Sequence, residues 1–566
     1  LNLELKTKKK LSLILIVFFL ACFFTIFLAS LAYIYEKRAE ILFKFGYYGP
    51  NDHHNERRYL INPLKKSDRQ APPKDIKDLK INENSTIVGQ WSSPVDWNVT
   101  AIHSILLPDE TVMTFGTFGI DKKENSEDLI SNKKIVITDG REFDRDGGSH
   151  QWRGHSVNSG IDFDIWDPKK GVGEGSHILF KQPVVMDAFC SVVRVIDDNK
   201  VFILGGNKNL DTNLPDSQNQ TMIYDVENKK FSLSKNLNFK RWYASAVISG
   251  DEIMFLFGGE DMPNKKPSTT PEMIDLKNID YGWKKLDQSE SNDLFGAKDA
   301  TEYSYPRAFL ASDGNIVGIS YNKIWVMDLE NNYRVSKTGE IPLVKGGISN
   351  VLEHSNPNMD HDKKDHMKLV TIGSPVGTTN SVVMIEKDKV LIFGGRQNGI
   401  EYSPSNKVVM IDFTNSFKPK IQELNPMNFP RSNGNATIMP DGNIFINGGT
   451  SYDDLAFSVF TPEIYNPNTQ ETSEMSQAYF RRNYHSTSLL LADGRILTAG
   501  GDVWNAEIFY PPYLFTKDIN NKTVLAERPK ITKLKKNIKR GEMIDIGVNG
   551  EVSKVTVIST GSTTHA

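Results

Sequence analysis

The chain predicts an all-β fold, a seven-bladed β-propeller, on three features of its sequence. The first is a recurring unit: an apolar run, a turn rich in Asp, Asn and Gly, and a second apolar run. Such a unit reads as a β-hairpin. Seven copies occur, at Ala101–Thr117, Phe189–Asn207, Arg241–Glu260, Tyr303–Ser320, Asn380–Arg396, Arg431–Thr450 and Asn483–Asp502. The second feature is a Gly pair closing many copies, at Gly205-Gly206, Gly258-Gly259, Gly394-Gly395, Gly448-Gly449 and Gly500-Gly501, a period of about 50 residues. The third is a set of outer-strand candidates between hairpins, such as Thr221–Asp225 and Glu463–Asn466, which bring each unit to four strands. One blade cannot bury both faces of its sheet, whereas seven stacked radially can. The Gly pairs let backbones approach closely near the axis.

In chain order, Lys6, Lys8, Lys9 and Lys10 precede an uncharged, mostly apolar run, Leu11–Ile34. It is long enough to cross a bilayer, which takes roughly 20 residues, and the lysines would stay cytoplasmic. Residues 1–35 are therefore expected to be a transmembrane or signal helix. The run exceeds the roughly 7–15 residues of a signal-peptide core, which favours an uncleaved anchor; Ser30-Leu31-Ala32 offers a cleavage site for the alternative. Residues 36–86 are polar, with Pro63, Pro72 and Pro73, and read as a stalk. The propeller is expected over 87–515, with insertions between Gly116 and Gly206 and between Gly318 and Gly394, the second holding His354–His366. Residues 525–566 alternate in a strand pattern with Gly turns and read as the start of an Ig-like β-sandwich. The chain begins at Leu1 and stops at Ala566, short of a complete sandwich, so both ends are expected to be truncated.

Composition is that of a globular protein, and a formal charge of -3 without a dominant block gives no reason to expect nucleic acid. Of two cysteines, Cys22 lies in the apolar run. Cys190 is then alone in a body that enters the secretory route, with no intradomain partner.

Inner strands of a propeller line a channel, and their loop ends form a concave site on one face. Cys190, Tyr243, Tyr484 and His485 all fall at the start of hairpins, on three blades. The fold should bring them together, and His565 would join them from the C-terminal segment. Taken singly, each has an ordinary reading: packing aromatics, a core filler, a strand histidine, a loop residue. Their shared position in different blades argues against coincidence.

Phe189-Cys190, Arg241-Trp242-Tyr243-Ala244-Ser245, Asn483-Tyr484-His485-Ser486 and Ser562-Thr563-Thr564-His565 occur in that order. With Leu489–Arg495, Ala506–Phe509 and Arg528–Ile531, they resemble the copper radical oxidases, the galactose oxidase and glyoxal oxidase group, from about Trp91 onwards. The resemblance implies a thioether between Cys190 and Tyr243 that forms a one-electron redox cofactor. It implies one copper ion held by Tyr243 (equatorial), His485, His565 and Tyr484 (axial), a donor set that suits Cu(II). Tyr484 would take the substrate proton, and the Tyr243–Cys190 radical a hydrogen atom. A small aldehyde or primary alcohol would be oxidised with O2 to give H2O2. Galactose oxidase stacks a tryptophan from just after a Gly pair, where this chain reads Gly259-Glu260-Asp261-Met262; Trp242 is the candidate substitute for shielding. The expected molecule is a monomer with an extracellular or lumenal catalytic body, membrane-anchored or secreted. The rival is a non-catalytic kelch-type ectodomain binding carbohydrate or protein. A hydrolase would need an acid pair or nucleophile constellation that is not visible.

Overall fold

Apolar residues in these strands face both ways, which decides the architecture. In Lys200–Leu204, Val201 and Ile203 pack with Phe115 and Phe163 on one side, while Phe202 and Leu204 pack with Met254 and Leu256 on the other. Strand side chains alternate between faces, so a strand apolar at every position needs cover on both. Each fully buried Phe or Leu contributes about 1.5–3 kcal/mol, and that gain is available only between two neighbouring sheets. The chain supplies these neighbours in a ring.

The computed structural model describes residues 70–564 except 120–135, 138–140, 143–161, 174, 182–185, 208–216, 262–263, 265, 297–303, 345–350, 354–367, 371–373, 378, 398–403, 452–457, 502, 504, 536–537, 539–541 and 553. These residues all belong to one compact unit, His54–Ala566. Seven antiparallel sheets form the blades, named here from the innermost strand outwards. Blade 1 is Val99–Leu106, Val112–Gly119, Asp162–Trp166 and His177–Lys181. Blade 2 is Val192–Val195, Lys200–Leu204, Thr221–Asp225 and Lys230–Leu233. Blade 3 is Trp242–Ile248, Ile253–Asp261, Glu272–Asp275 and Lys284–Lys285. Blade 4 is Arg307–Leu310, Ile316–Ser320, Lys323–Asp328 and Arg334–Glu340. Blade 5 is Ser381–Glu386, Lys389–Phe393, Val408–Asp412 and Lys420–Leu424. Blade 6 is Ser432–Ile438, Ile444–Thr450, Glu463–Tyr465 and Thr472–Glu474. Blade 7 is Ser486–Leu490, Ile496–Gly500 and Asn505–Tyr510, completed by Gln90–Trp91 from the other end of the propeller sequence. An apolar layer lies between each adjacent pair of blades, including blades 7 and 1.

All seven hairpins expected from the sequence are inner hairpins of the ring. Its closure was not expected. Gln90 lies opposite Tyr510 and Trp91 opposite Phe509; the Trp91 indole also donates to the Ser476 carbonyl of blade 6 at 2.6 Å. Within 525–566, Ile531–Lys533 pairs with Gly547–Val548. Ser562–Thr564 instead lies along the free inner edge of blade 1, Thr564 opposite His103 and Ser562 opposite Ile105. The apolar segment 11–34, the stalk residues before 70 and the segment 354–366 lie outside the described residues. Among the described residues no helix is long and apolar enough to cross a membrane.

Three blades carry the same buried ion pair. Arg241 meets Glu272 at 2.9 Å in blade 3, and Arg431 meets Glu463 at 2.8 Å in blade 6. Arg482 stands 3.5 Å from Glu507 in blade 7. Each guanidinium also donates to the first Gly carbonyl of its own blade, at Gly258, Gly448 and Gly500. Removing one partner of such a pair strands the other charge in the core. Arg431→Met should therefore lower unfolding free energy by about 3–5 kcal/mol, whereas Arg431→Met with Glu463→Met should recover most of it. Urea denaturation followed by tryptophan fluorescence measures both; equal losses would show that the stranded charge is not the cause.

Candidate metal centre

Strand register places one residue of each of blades 2 to 7 at the mouth of the channel. In blade 3, Trp242 pairs with Glu260 and Ala244 with Gly258, which leaves Tyr243 opposite the second glycine, Gly259. In blade 6 the same irregularity leaves Asn433 opposite Gly449. Extending the ladders of blades 2, 4, 5 and 7 puts Cys190, Tyr305, Thr379 and His485 at this position. Cys190, Tyr243, Tyr305, Asn433 and His485 are all left-handed there, with φ of 61, 63, 48, 57 and 64°. Backbone hydrogen bonds run from blade to blade through the set. The Tyr243 N–H donates to the Cys190 carbonyl at 3.2 Å, that of Tyr305 to Tyr243 at 2.7 Å, and that of Asn433 to Thr379 at 2.9 Å.

The side chains converge on Tyr243. Its hydroxyl lies 2.5 Å from that of Tyr484. Trp242 stacks on the Tyr243 ring at 4.4 Å and 17°, and Tyr305 covers it at 4.7 Å and 35°. Cys190 is fully buried in the apolar layer against which Trp242 and Tyr243 pack. The Tyr484 ring stacks on His485 at 3.9 Å, and His485 meets Phe189 edge-on at 5.4 Å. His485 is buried, while Tyr484 and Tyr243 keep partial access to solvent.

Two further residues belong to this assembly, and neither was picked out from the sequence. His103, on the innermost strand of blade 1, accepts the Cys190 N–H through Nε2 at 3.2 Å and stacks on Phe115 at 4.4 Å. Its only sequence signal is a histidine within the apolar run Ala101–Leu107. Tyr305 could have been found by aligning the hairpins on their turns, which sets it in register with Tyr243.

Burial dominates the electrostatics. It lowers the His103 pKa to about 3, with the nearby His485 charge adding to the effect. It pushes the Cys190 thiol well above its ordinary value, against weaker opposing hydrogen bonds from Tyr243 and Trp242. It likewise raises the Tyr243 phenol, with Cys190, Tyr484 and Tyr305 reinforcing the shift. Without a metal, a phenolate at Tyr243 is disfavoured; a cation at the mouth would supply the charge it needs.

No family model matches the chain. It is 25% identical over 423 residues to a galactose oxidase of Gibberella zeae, a match covering 71% of this chain and 55% of the relative. It is 25% identical over 372 residues to the aldehyde oxidase GLOX1 of Arabidopsis thaliana, covering 59% of this chain and 55% of the relative. Its sequence is thus similar to oxidases of the galactose oxidase and glyoxal oxidase group. The chain spans about half the length of these curated relatives. A solved fungal alcohol oxidase of the AA5 family, in complex with copper, shares the fold at a TM-score of 0.56 and 18% identity, over 79% of this chain and 80% of that one.

Of the residues expected from the sequence, Cys190, Trp242, Tyr243, Tyr484 and His485 stand at one mouth, and His565 lies outside the described residues. The strand preceding it, Ser562–Thr564, runs antiparallel to the inner strand of blade 1 and so ascends the channel towards that mouth. Among the described residues no group of three or more His, Cys, Asp or Glu side chains could hold a metal. The donors here are instead two phenol oxygens 2.5 Å apart and an imidazole beside them. Oxygen and imidazole donors of this kind fit Cu(II).

The buried His103 makes acid stability a measurable property of this centre. Its folded pKa of about 3 lies below the unfolded value of 6.5, so its contribution is full above pH 6.5 and is lost as pH falls towards 3. Between pH 7 and pH 4 that loss is on the order of 3 kcal/mol. Urea denaturation of copper-free protein should show the fall. His103→Gln, which keeps an acceptor for the Cys190 N–H, should flatten it; parallel pH profiles for the two proteins would refute the assignment.

Proposed function

We propose that this chain is a copper radical oxidase that oxidises small aldehydes or primary alcohols with O2 and releases H2O2. The observation that carries the reading is the Tyr243–Tyr484 hydroxyl pair at 2.5 Å, with Cys190 buried in the layer behind the Tyr243 ring. The relatives named galactose oxidase and aldehyde oxidase, and the copper-bound alcohol oxidase of the same fold, support the reaction class.

Tyr243, Tyr484, His485 and His565 would hold one copper ion. When bound, it supplies one of the two oxidising equivalents that the reaction needs. Tyr484, partly open to solvent, receives the substrate hydroxyl proton at Oη. Tyr243, joined to Cys190 by a thioether, accepts the hydrogen atom from the substrate carbon. The rings of Trp242 and Tyr305, on the Tyr243 ring at 4.4 and 4.7 Å, keep water and stray reductants off that side chain. The apolar run Leu11–Ile34 supports an extracellular or lumenal setting, reached by an anchor or a cleaved signal.

The test is a peroxide assay on copper-loaded protein with methylglyoxal, galactose and simple primary alcohols, run beside O2 uptake and visible absorption. A radical band and matched H2O2 release are expected. Tyr484→Phe should retain the band yet lose about 10²–10⁴-fold in kcat, the range of a general base. Cys190→Ser should abolish the thioether. Stoichiometric copper with no peroxide from any of these substrates would rule out the oxidase.

A further inference from the structure

Close behind Cys190 lies a buried carboxylate for which the proposed chemistry has no use. Asp187 is 7% exposed and sits at the start of the turn that carries the cysteine. Its Oδ1 accepts the Phe189 N–H at 2.9 Å, and its Oδ2 accepts the Asn207 side-chain amide at 2.9 Å. The Asn207 N–H in turn donates to the Phe189 carbonyl at 2.9 Å, and the Ser191 N–H to the Ala188 carbonyl at 3.1 Å. The Asp187 carbonyl receives the Gln218 amide at 2.6 Å. The turn is pressed against the Gly pair of its blade: a Cβ on Gly206 would lie 2.7 Å from the Phe189 oxygen and 3.2 Å from that of Asp187.

Both carboxylate oxygens are thus spent on the segment that aims Cys190. Burying a carboxylate is unfavourable, and burial lifts this one to a pKa of about 7 despite its two hydrogen bonds. An apolar side chain would avoid that burial cost but would strand the Phe189 N–H and the Asn207 amide. The carboxylate makes sense if the position of the next three residues matters.

We propose that Asp187 is a positioning residue for Cys190: latched to Phe189 and Asn207, it holds the cysteine in its left-handed conformation with the sulfur towards Tyr243, and so governs how fast and how completely the thioether forms. This rests on the thioether read above. In that step Cys190 loses its S–H hydrogen and the Tyr243 ring one C–H hydrogen, an Sγ–C bond forms, and two electrons and two protons pass to O2 as H2O2. Displacing the sulfur by even an ångström is enough to slow such a reaction about 10- to 100-fold.

The experiment follows thioether formation in the full chain exposed to Cu(II) and air, by mass spectrometry of the linked peptide pair, which is lighter by two hydrogens. Asp187→Ala should slow linkage about 10- to 100-fold. The exchange Asp187→Asn with Asn207→Asp keeps an acceptor for Phe189 and reverses the donor and acceptor across the latch, so it should restore linkage to near the wild-type rate. Thermal melts of every variant report folding, and the exchange keeps the test open if Asp187→Ala does not fold. Linkage at the wild-type rate in Asp187→Ala would overturn the proposal, as would a folded exchange variant still slow to link. Wild type that never links sinks the thioether cofactor itself, and is told apart by the absence of the lighter peptide pair in every sample.

Discussion

The carbonyl of the arginine that opens an inner strand reaches across to the Gly pair of the preceding blade, and this contact sets the geometry of the ring. A Cβ on Gly448 would lie 1.9 Å from the Arg482 oxygen; on Gly394 or Gly205 it would lie 2.3 Å from that of Arg431 or 2.4 Å from that of Arg241. Only glycine allows the approach. The N–H of the second glycine then donates to the same oxygen, at 2.9 Å for Gly206 and 2.7 Å for both Gly395 and Gly449. The same arginines turn their guanidinium groups inward to their own blades, onto a buried glutamate and the first Gly carbonyl. One residue therefore fixes two distances, blade to blade through its carbonyl and strand to strand through its side chain. Tyr243 follows Arg241 by two residues, and Tyr484 follows Arg482 by two, so the candidate centre inherits its precision from these fixed points.

The left-handed mouth residues look like functional strain until they are compared across the blades. A non-glycine residue in this region costs about 1–2 kcal/mol. Cys190, Tyr243 and His485 share it with Asn433, to which no role in the proposed chemistry falls. Of the five residues opposite the second glycine of a pair, four adopt it, and Thr379 opposite Gly395 does not. What distinguishes blades 2, 3 and 7 is the side chain placed there, not the backbone beneath it. A propeller offers such a position once per blade, all at one rim, so a multi-residue centre can be assembled by side-chain choice without local rebuilding.

How far the sequence could be read follows from the range of each signal. The hairpins were legible because an apolar run, an Asp-Gly turn such as Asp493-Gly494 and a second run lie within about 20 residues of one another. The pairs Phe189-Cys190, Trp242-Tyr243 and Tyr484-His485 stood out because they sit at hairpin starts. Ring closure was hidden: Gln90–Trp91 is a two-residue strand whose partner lies at the far end of the propeller sequence. No local pattern announces such a pairing. The Arg–Glu pairs were missed for a different reason, since Arg241, Arg431 and Arg482 do recur at one repeat position, but glutamates such as Glu272 and Glu463 lie two strands away across variable loops. His103 lacked a motif altogether; only an imidazole in a mostly apolar strand marked it.

Burial drives three groups around the candidate centre, His103, Cys190 and Tyr243, towards their uncharged forms. His103 loses its affinity for a proton, while the Cys190 thiol and the Tyr243 phenol hold theirs. An uncharged mouth of this kind accommodates an added cation better than one carrying a fixed positive charge, because a neutral His103 does not repel it. The cation in turn is what would let Tyr243 ionise. Keeping the thiol protonated has a second effect. A free thiolate is a soft ligand that draws Cu(I) or zinc, whereas oxygen and imidazole donors suit Cu(II). With Cys190 held neutral and packed behind the Tyr243 ring, the donors left at the mouth are the two phenols and His485. In the proposed centre, the same burial that would be a liability for an ionised site would sort the ligands, leaving the sulfur to the tyrosine and the open face to the metal.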